Sequence, residues 1–155
     1  MNRHGGLTLL VAPMVAIVAS ANYLVQFPVN DWLTWGALTY PLSYFVTDLT
    51  NRWYGAERAR RVVYAGFVLA VILSVWLASP RIALASGTAF LLSQLMDVAI
   101  FNRLRRRAWW RAPLASSVIG SLVDTALFFA LAFYGTQVPW LTLATGDYAV
   151  KVAIA

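Results

Sequence analysis

The sequence predicts an all-α, polytopic membrane bundle of six transmembrane helices, forming a single integral membrane domain over residues 1–155. Two observations carry the prediction. The 155 residues are 61% hydrophobic and 12% charged, and a soluble domain carries roughly twice that charged fraction. Ten of the 12 basic residues gather in three patches: Arg3; Arg52, Arg58, Arg60 and Arg61; and Arg103, Arg105, Arg106, Arg107 and Arg111. Apolar runs of about twenty residues separate the patches, the length that crosses a hydrocarbon layer.

The elements follow in order. The first apolar segment runs from Leu7 to Phe27 and reads as a retained span, being longer than the apolar stretch of a cleaved leader. Pro28, Asn30 and Asp31 make its exit turn. The second, Leu33 to Leu49, contains Pro41, where a bent helix can open a cavity. The third, Val62 to Ser79, holds no charge. Pro80 and Arg81 read as a short outer turn before the fourth, Ile82 to Phe101. The fifth spans Leu114 to Tyr134. The sixth begins near Trp140 and reads as cut short at Ala155.

Arginine-rich loops stay on the cytoplasmic side, which places the N-terminus and C-terminus there and leaves Arg81 and Asp31 as the outer loop charges. Trp32, Trp35, Trp109, Trp110 and Trp140 fall near the predicted interfaces, as anchoring aromatics do. The net charge of +6 reads as a topology signal and not as a nucleic-acid face, because the basic residues sit at the ends of apolar runs. There is no cysteine, so no disulfide and no thiolate metal site. The sole histidine, His4, is terminal, and no GxxxxGK[ST], HExxH or GxSxG motif occurs. The chain therefore reads as no enzyme, needs no cofactor, and does not drive ATP-powered transport by itself.

Charges inside the apolar runs are where function is sought, since a carboxylate in hydrocarbon costs several kcal/mol unless it is paired, protonated or facing water. Asp124 lies midway along the fifth segment, with no basic residue near it on its own helix. It reads as a substrate or proton site, or as a protonated side chain bonded between helices. Asp97 shares a helical face with Ser93 and Gln94, a polar stripe that suits either ligand binding or helix–helix adhesion. Asp48 stands four residues before Arg52, and Asp147 four before Lys151, the only lysine. Both spacings suit an ion pair, structural or functional. Tyr40, Tyr44 and Phe45 lie beside Pro41, where a ring could stack on a flat ligand or simply pack. Leu95–Phe101 and Leu122–Phe128 both read L-x-D-x-A-x-F, the remnant of an inverted repeat or a coincidence of composition.

A resemblance then emerges, carried by residues 21–26, Thr34-Trp35-Gly36-Ala37, Val46-Thr47-Asp48-Leu49-Thr50, Ala59-Arg60-Arg61, Arg81-Ile82-Ala83, Gln94–Val98 and Phe101–Arg105. It continues through Trp109-Trp110, Ala112-Pro113, Ser116 and Asp124 to Asp147-Tyr148 and Lys151. In this order, over nearly the whole chain, the sequence resembles the bacterial queuosine precursor transporters, a group also catalogued among vitamin uptake transporters. The resemblance implies a multi-pass protein of the bacterial inner (plasma) membrane that imports 7-deazaguanine bases, the nitrile and aminomethyl forms, for tRNA modification. Its partners would be that small molecule and the lipid bilayer, with protons as a candidate coupling ion, no nucleic acid, and homo-oligomerisation left open.

The residues suit that substrate. A 7-deazaguanine is flat and carries N–H donors along its pyrimidine edge, and a carboxylate accepts two of them at once. The expected recognition set is Asp97, Asp124 and Gln94, with Asn22 and Ser93 as further polar contacts and Tyr44 or Phe45 over the ring. Asp48, Arg52, Asp147 and Lys151 are the expected gating or coupling residues. The rival reading is a substrate-binding subunit of the S-component type that borrows an energy-coupling ATPase module. Uptake in a host without such a module separates the two.

Overall fold

The structure is a computed structural model and describes residues 5–106 and 109–155. Arg3, His4 and Arg107, used in the charge argument, lie outside the described residues. Helix α1 (Gly5–Leu24) leads into a two-stranded antiparallel ribbon, β1 (Pro28–Asn30) and β2 (Leu33–Thr34). Asn30 sets the turn: its side-chain oxygen accepts from the backbone N–H groups of Trp32 (2.8 Å) and Leu33 (2.9 Å), the usual service of Asn in a tight bend.

The second expected span is not one helix. Leu33–Thr34 belongs to the ribbon, Thr34 caps a short helix α2 (Trp35–Thr39), and α3 (Pro41–Tyr54) begins only at the proline. Pro41 has no N–H to give the preceding turn, so the helical ladder stops there and resumes with Pro41 in its first turn, where the missing donor costs nothing. Gly36 lets α2 lie directly on α1: a Cβ there would stand 2.7 Å from the Ala21 carbonyl oxygen.

Gly55, at φ 86°, closes α3 and hands the chain to α4 (Ala56–Leu77). The helix absorbs Arg58, Arg60 and Arg61 into its first turns, so this basic patch is helical where a loop was expected. Helix α5 (Pro80–Leu104) likewise starts earlier than expected. Ser79 accepts the Ile82 N–H at 3.3 Å, and Pro80 and Arg81 form the first turn of α5 instead of a connecting turn. Helices α6 (Arg111–Phe133) and α7 (Trp140–Ile154) complete the chain. Among the described residues, α4, α5 and α6 are each long and apolar enough to cross a membrane.

Two ends of the bundle are distinct. At one, Arg105 donates to the Arg52 carbonyl at 3.5 Å and Arg52 to the Trp109 carbonyl at 2.6 Å, which ties the two basic connections together. At the other, Arg81 closes the C-terminus of α6 through the carbonyls of Leu131 (2.9 Å) and Tyr134 (2.6 Å), and Thr142 of α7 donates to the Asp31 carbonyl in the ribbon turn (2.9 Å). Two apolar clusters hold the helices. One joins α1, α3, α4 and α5 through Met14, Val18, Tyr44, Val62 and Phe90; the other joins α5, α6 and α7 through Ala89, Phe129 and Leu143. The outer face of α4 (Tyr64, Val68, Ile72, Val75, Trp76) is exposed. A continuous apolar face of this size is at home against lipid and not against water.

Candidate functional site

Buried polar side chains run between these clusters, and they sort into three groups. The central one is built on Asp124, which α6 places in the bundle interior at 3% exposure. Its Oδ1 accepts from the Tyr40 hydroxyl (2.8 Å) and the Ser93 hydroxyl (3.2 Å), and its Oδ2 from Lys151 Nζ (2.7 Å). Lys151, on α7, also reaches Asp147 Oδ2 at 2.5 Å, one turn back on the same helix. Thr125 braces the Asp147–Lys151 pair, donating to Asp147 at 2.7 Å and accepting from Lys151 at 3.1 Å. The Lys151 ammonium stands 4.7 Å from the centre of the Tyr40 ring, within cation–π range. Two carboxylates thus share one ammonium deep in the fold.

Local sequence explains the convergence. The break before Pro41 presents Tyr40 to α6. The ribbon packs on α7 through Gly146, where a Cβ would stand 1.8 Å from the Trp32 carbonyl oxygen, so only glycine admits the contact that seats the neighbouring Asp147. Gly120, one turn before Asp124, leaves room for the Tyr44 ring, 3.0 Å from where its Cβ would be.

The second group lies along α5 toward the basic end. Gln94 is fully buried; its oxygen accepts from Thr47 (2.6 Å) and its amide donates to Ser43 (3.1 Å), so it binds α5 to α3. Asp48 accepts from Ser116 and Ser117, each at 3.4 Å. It forms no ion pair with Arg52 among the described residues. The four-residue spacing is met in sequence only, because Arg52 turns outward to the Trp109 carbonyl and the Phe101 ring. Asp97 is wholly buried beside Asp48 and Ser116, and neither of its oxygens makes a hydrogen bond among the described residues. The Tyr44 hydroxyl is likewise buried without a partner.

The third group is a clasp across three helices. Asn22 of α1 donates to Ser74 of α4 and, at 2.9 Å, to Ser86 of α5. Phe45 stands apart from all three, 61% exposed on the bundle surface.

Two cavities meet this network. One, of about 30 Å³, is lined by Asn22, Tyr40, Ser86, Asp124, Asp147 and Lys151 among others. The second, of about 570 Å³, lies toward the basic end, where Asp48, Arg52, Phe101, Trp109 and Ser117 form part of its wall with Tyr44 and Phe45. Lys151 borders both cavities.

The structure therefore gathers Asp124, Ser93, Asp147 and Lys151 in one place and Asp97, Gln94, Asp48 and Tyr44 in a neighbouring one, with Asn22 on the rim of the small cavity. The sequence gives Tyr40 only a packing or stacking role, assigns Ser116 no contact, and leaves Thr125 and Ser117 without a role. Small hydroxyls inside apolar runs, next to or facing an acid, were the available signal.

The family model described as "putative vitamin uptake transporter" matches residues 34–155. A queuosine precursor transporter of Escherichia coli (strain K12) is 38% identical over 90% of this chain and 76% of its own length. A "probable queuosine precursor transporter" of Haemophilus influenzae is 35% identical over 90% of this chain and 77% of its own. A third protein of that description, from Bacillus subtilis, is 29% identical over 79% of the chain and 66% of its own length. No solved structure matches the chain significantly.

Proposed function

This chain belongs to the vitamin uptake transporter family, among the queuosine precursor transporters, and we propose that it imports 7-deazaguanine precursors, the nitrile and aminomethyl forms. As a member it is a transporter of the bacterial inner membrane and not an enzyme. The reading includes six spans, formed by α1, the α2–α3 pair, α4, α5, α6 and α7, with both termini on the cytoplasmic side where the basic connections lie.

One observation supports the substrate class above the others: Asp124 offers a buried carboxylate on the wall of a small cavity, beside an aromatic ring and an ammonium. A carboxylate takes two parallel hydrogen bonds from the N1–H and exocyclic amine of a guanine-type edge. Tyr40, Ser93 and Lys151 now satisfy Asp124, so its burial is compensated before a base arrives. The arriving edge replaces Lys151, which keeps Asp147 as its partner. A cavity of about 30 Å³ is far below the roughly 300 Å³ at which ligand pockets begin, so the base enters only when the helices part. Lys151, bordering both cavities, then serves as the gate between them. Asn22 stands on the same cavity as the candidate partner for the ring carbonyl. Gln94, already held on both ends by α3, serves the framework in this reading.

The test is restoration of queuosine in tRNA, at limiting external precursor, in cells lacking their own precursor synthesis and uptake. The chain is expected to restore it, and Asp124→Asn to abolish uptake while the protein stays in the membrane. Normal uptake by that variant rejects the assignment.

A further inference from the structure

We infer that Asp97 and Asp48 form a proton-binding site that couples substrate movement to proton entry. The inference rests on the transport function proposed above. Asp97 lies on α5 at 0% exposure, and neither of its oxygens makes a hydrogen bond among the described residues. An ionised carboxylate so placed, without a hydrogen-bond partner, costs several kcal/mol within a bilayer. A proton removes that cost and gives Asp97 the one hydrogen bond its surroundings accept, an O–H directed at the neighbouring Asp48 carboxylate.

Asp48 is prepared for the other half of the exchange. It is 8% exposed, it takes the hydroxyls of Ser116 and Ser117, and it borders the 570 Å³ cavity at the basic end. Asp97 thus holds the proton away from water and Asp48 stands where water reaches it. On release the proton passes from Asp97 to Asp48 and from there to cavity water at the basic end, and a proton entering with the next substrate from the opposite side reloads Asp97 and restores the charge of the pair. Among the described residues no third acid or histidine joins the pair. A proton, which needs two oxygens, fits where a metal ion would need a fuller shell.

The charged and titratable groups around Asp97 are consistent with an exchange tied to the central site. From α3 come Asp48 and Tyr44, with Arg52 at the cavity mouth. From α6 comes Asp124, which holds Ser93, one turn from Asp97 on α5. From α7 comes Lys151, on the far side of Asp124. When the substrate takes Asp124 in place of Lys151, the Ser93 hydroxyl on the other oxygen of that carboxylate links the event to α5, where Ser93 lies on the same helical face as Asp97.

The experiment uses the full chain in liposomes enclosing a pH-sensitive dye, with radiolabelled 7-deazaguanine nitrile as substrate. Wild-type influx is expected to acidify the lumen by about one proton per substrate. A one-unit, inside-alkaline pH gradient is expected to concentrate a neutral substrate up to about tenfold. Asp97→Asn is expected to lower the proton-to-substrate ratio to near zero in whatever flux it retains. If it carries none, Asp48→Asn serves, because loss of either carboxyl breaks the shared proton. Wild-type flux without acidification, or accumulation driven by sodium alone, overturns the inference. Exchange of labelled for unlabelled precursor at equal pH is measured alongside. Its absence in the wild type would instead count against precursor transport itself.

Discussion

Lys151 Nζ lies 2.7 Å from Asp124 Oδ2, a contact between α7 and α6 in which both side chains are less than 5% exposed. A pair so deep is held by its secondary partners as much as by its own attraction, since desolvation offsets most of the Coulomb gain. Removing one member leaves the other stranded. Lys151→Met is expected to destabilise the protein by about 3–5 kcal/mol, and the double variant Lys151→Met/Asp124→Asn by less. Thermal unfolding in detergent measures both. Additive losses would show that the two side chains do not depend on one another.

Tyr40→Phe removes a single oxygen and keeps the ring beside Lys151. A hydrogen bond to a charged acceptor is worth about 1.5–3 kcal/mol, and this one steadies Asp124 Oδ1. Uptake kinetics are expected to show a raised KM with the protein still folded. A KM equal to wild type would remove Tyr40 from the recognition group.

Gly146→Ala places a methyl group within 1.8 Å of the Trp32 carbonyl, where backbone cannot yield by a rotamer change. Overpacking of this kind costs about 1–3 kcal/mol. The ribbon should lift from α7, and a lowered melting temperature together with weakened uptake is the expected pair of readings. Gly135→Ala, where no atom lies within 4 Å, controls for the loss of a glycine as such, its own φ of 77° giving a smaller, purely backbone cost.

Gln94→Leu separates framework from recognition. Thr47 and Ser43 lose the amide but keep the backbone carbonyls of Ser43 and Tyr40, so the cost is about 1 kcal/mol for each hydrogen bond lost. The expected result is a clear fall in stability with a much smaller change in KM. A large rise in KM at unchanged stability would restore Gln94 to the substrate.

Much of the scaffold was legible because hydrophobic length and arginine placement act locally. The apolar run of α4, the turn at Asn30 and the Asp147–Lys151 spacing are all short-range patterns. Asp124 stood out because a mid-span acid is costly wherever its helix goes. What escaped depends on distance along the chain. Tyr40 and Asp124 are 84 residues apart, and no periodicity announces that a proline will turn one toward the other. Asp48 and Arg52 misled in the opposite sense: their spacing allows an ion pair, but a carbonyl and an aromatic ring at the bundle end compete for the guanidinium, and a pair of serines satisfies the acid. Spacing states what can meet, and tertiary packing decides what does.

Pro41 leaves a permanent gap in the ladder between α2 and α3, and the segments on either side owe allegiance to different neighbours. Gly36 presses α2 onto α1, while Ser43, Thr47 and Asn51 fasten α3 to α5. Tyr40 rides at the pivot. The phenol thus reaches Asp124 from a joint between two short helices that answer to different neighbours, and neither helix loses a turn in placing it there.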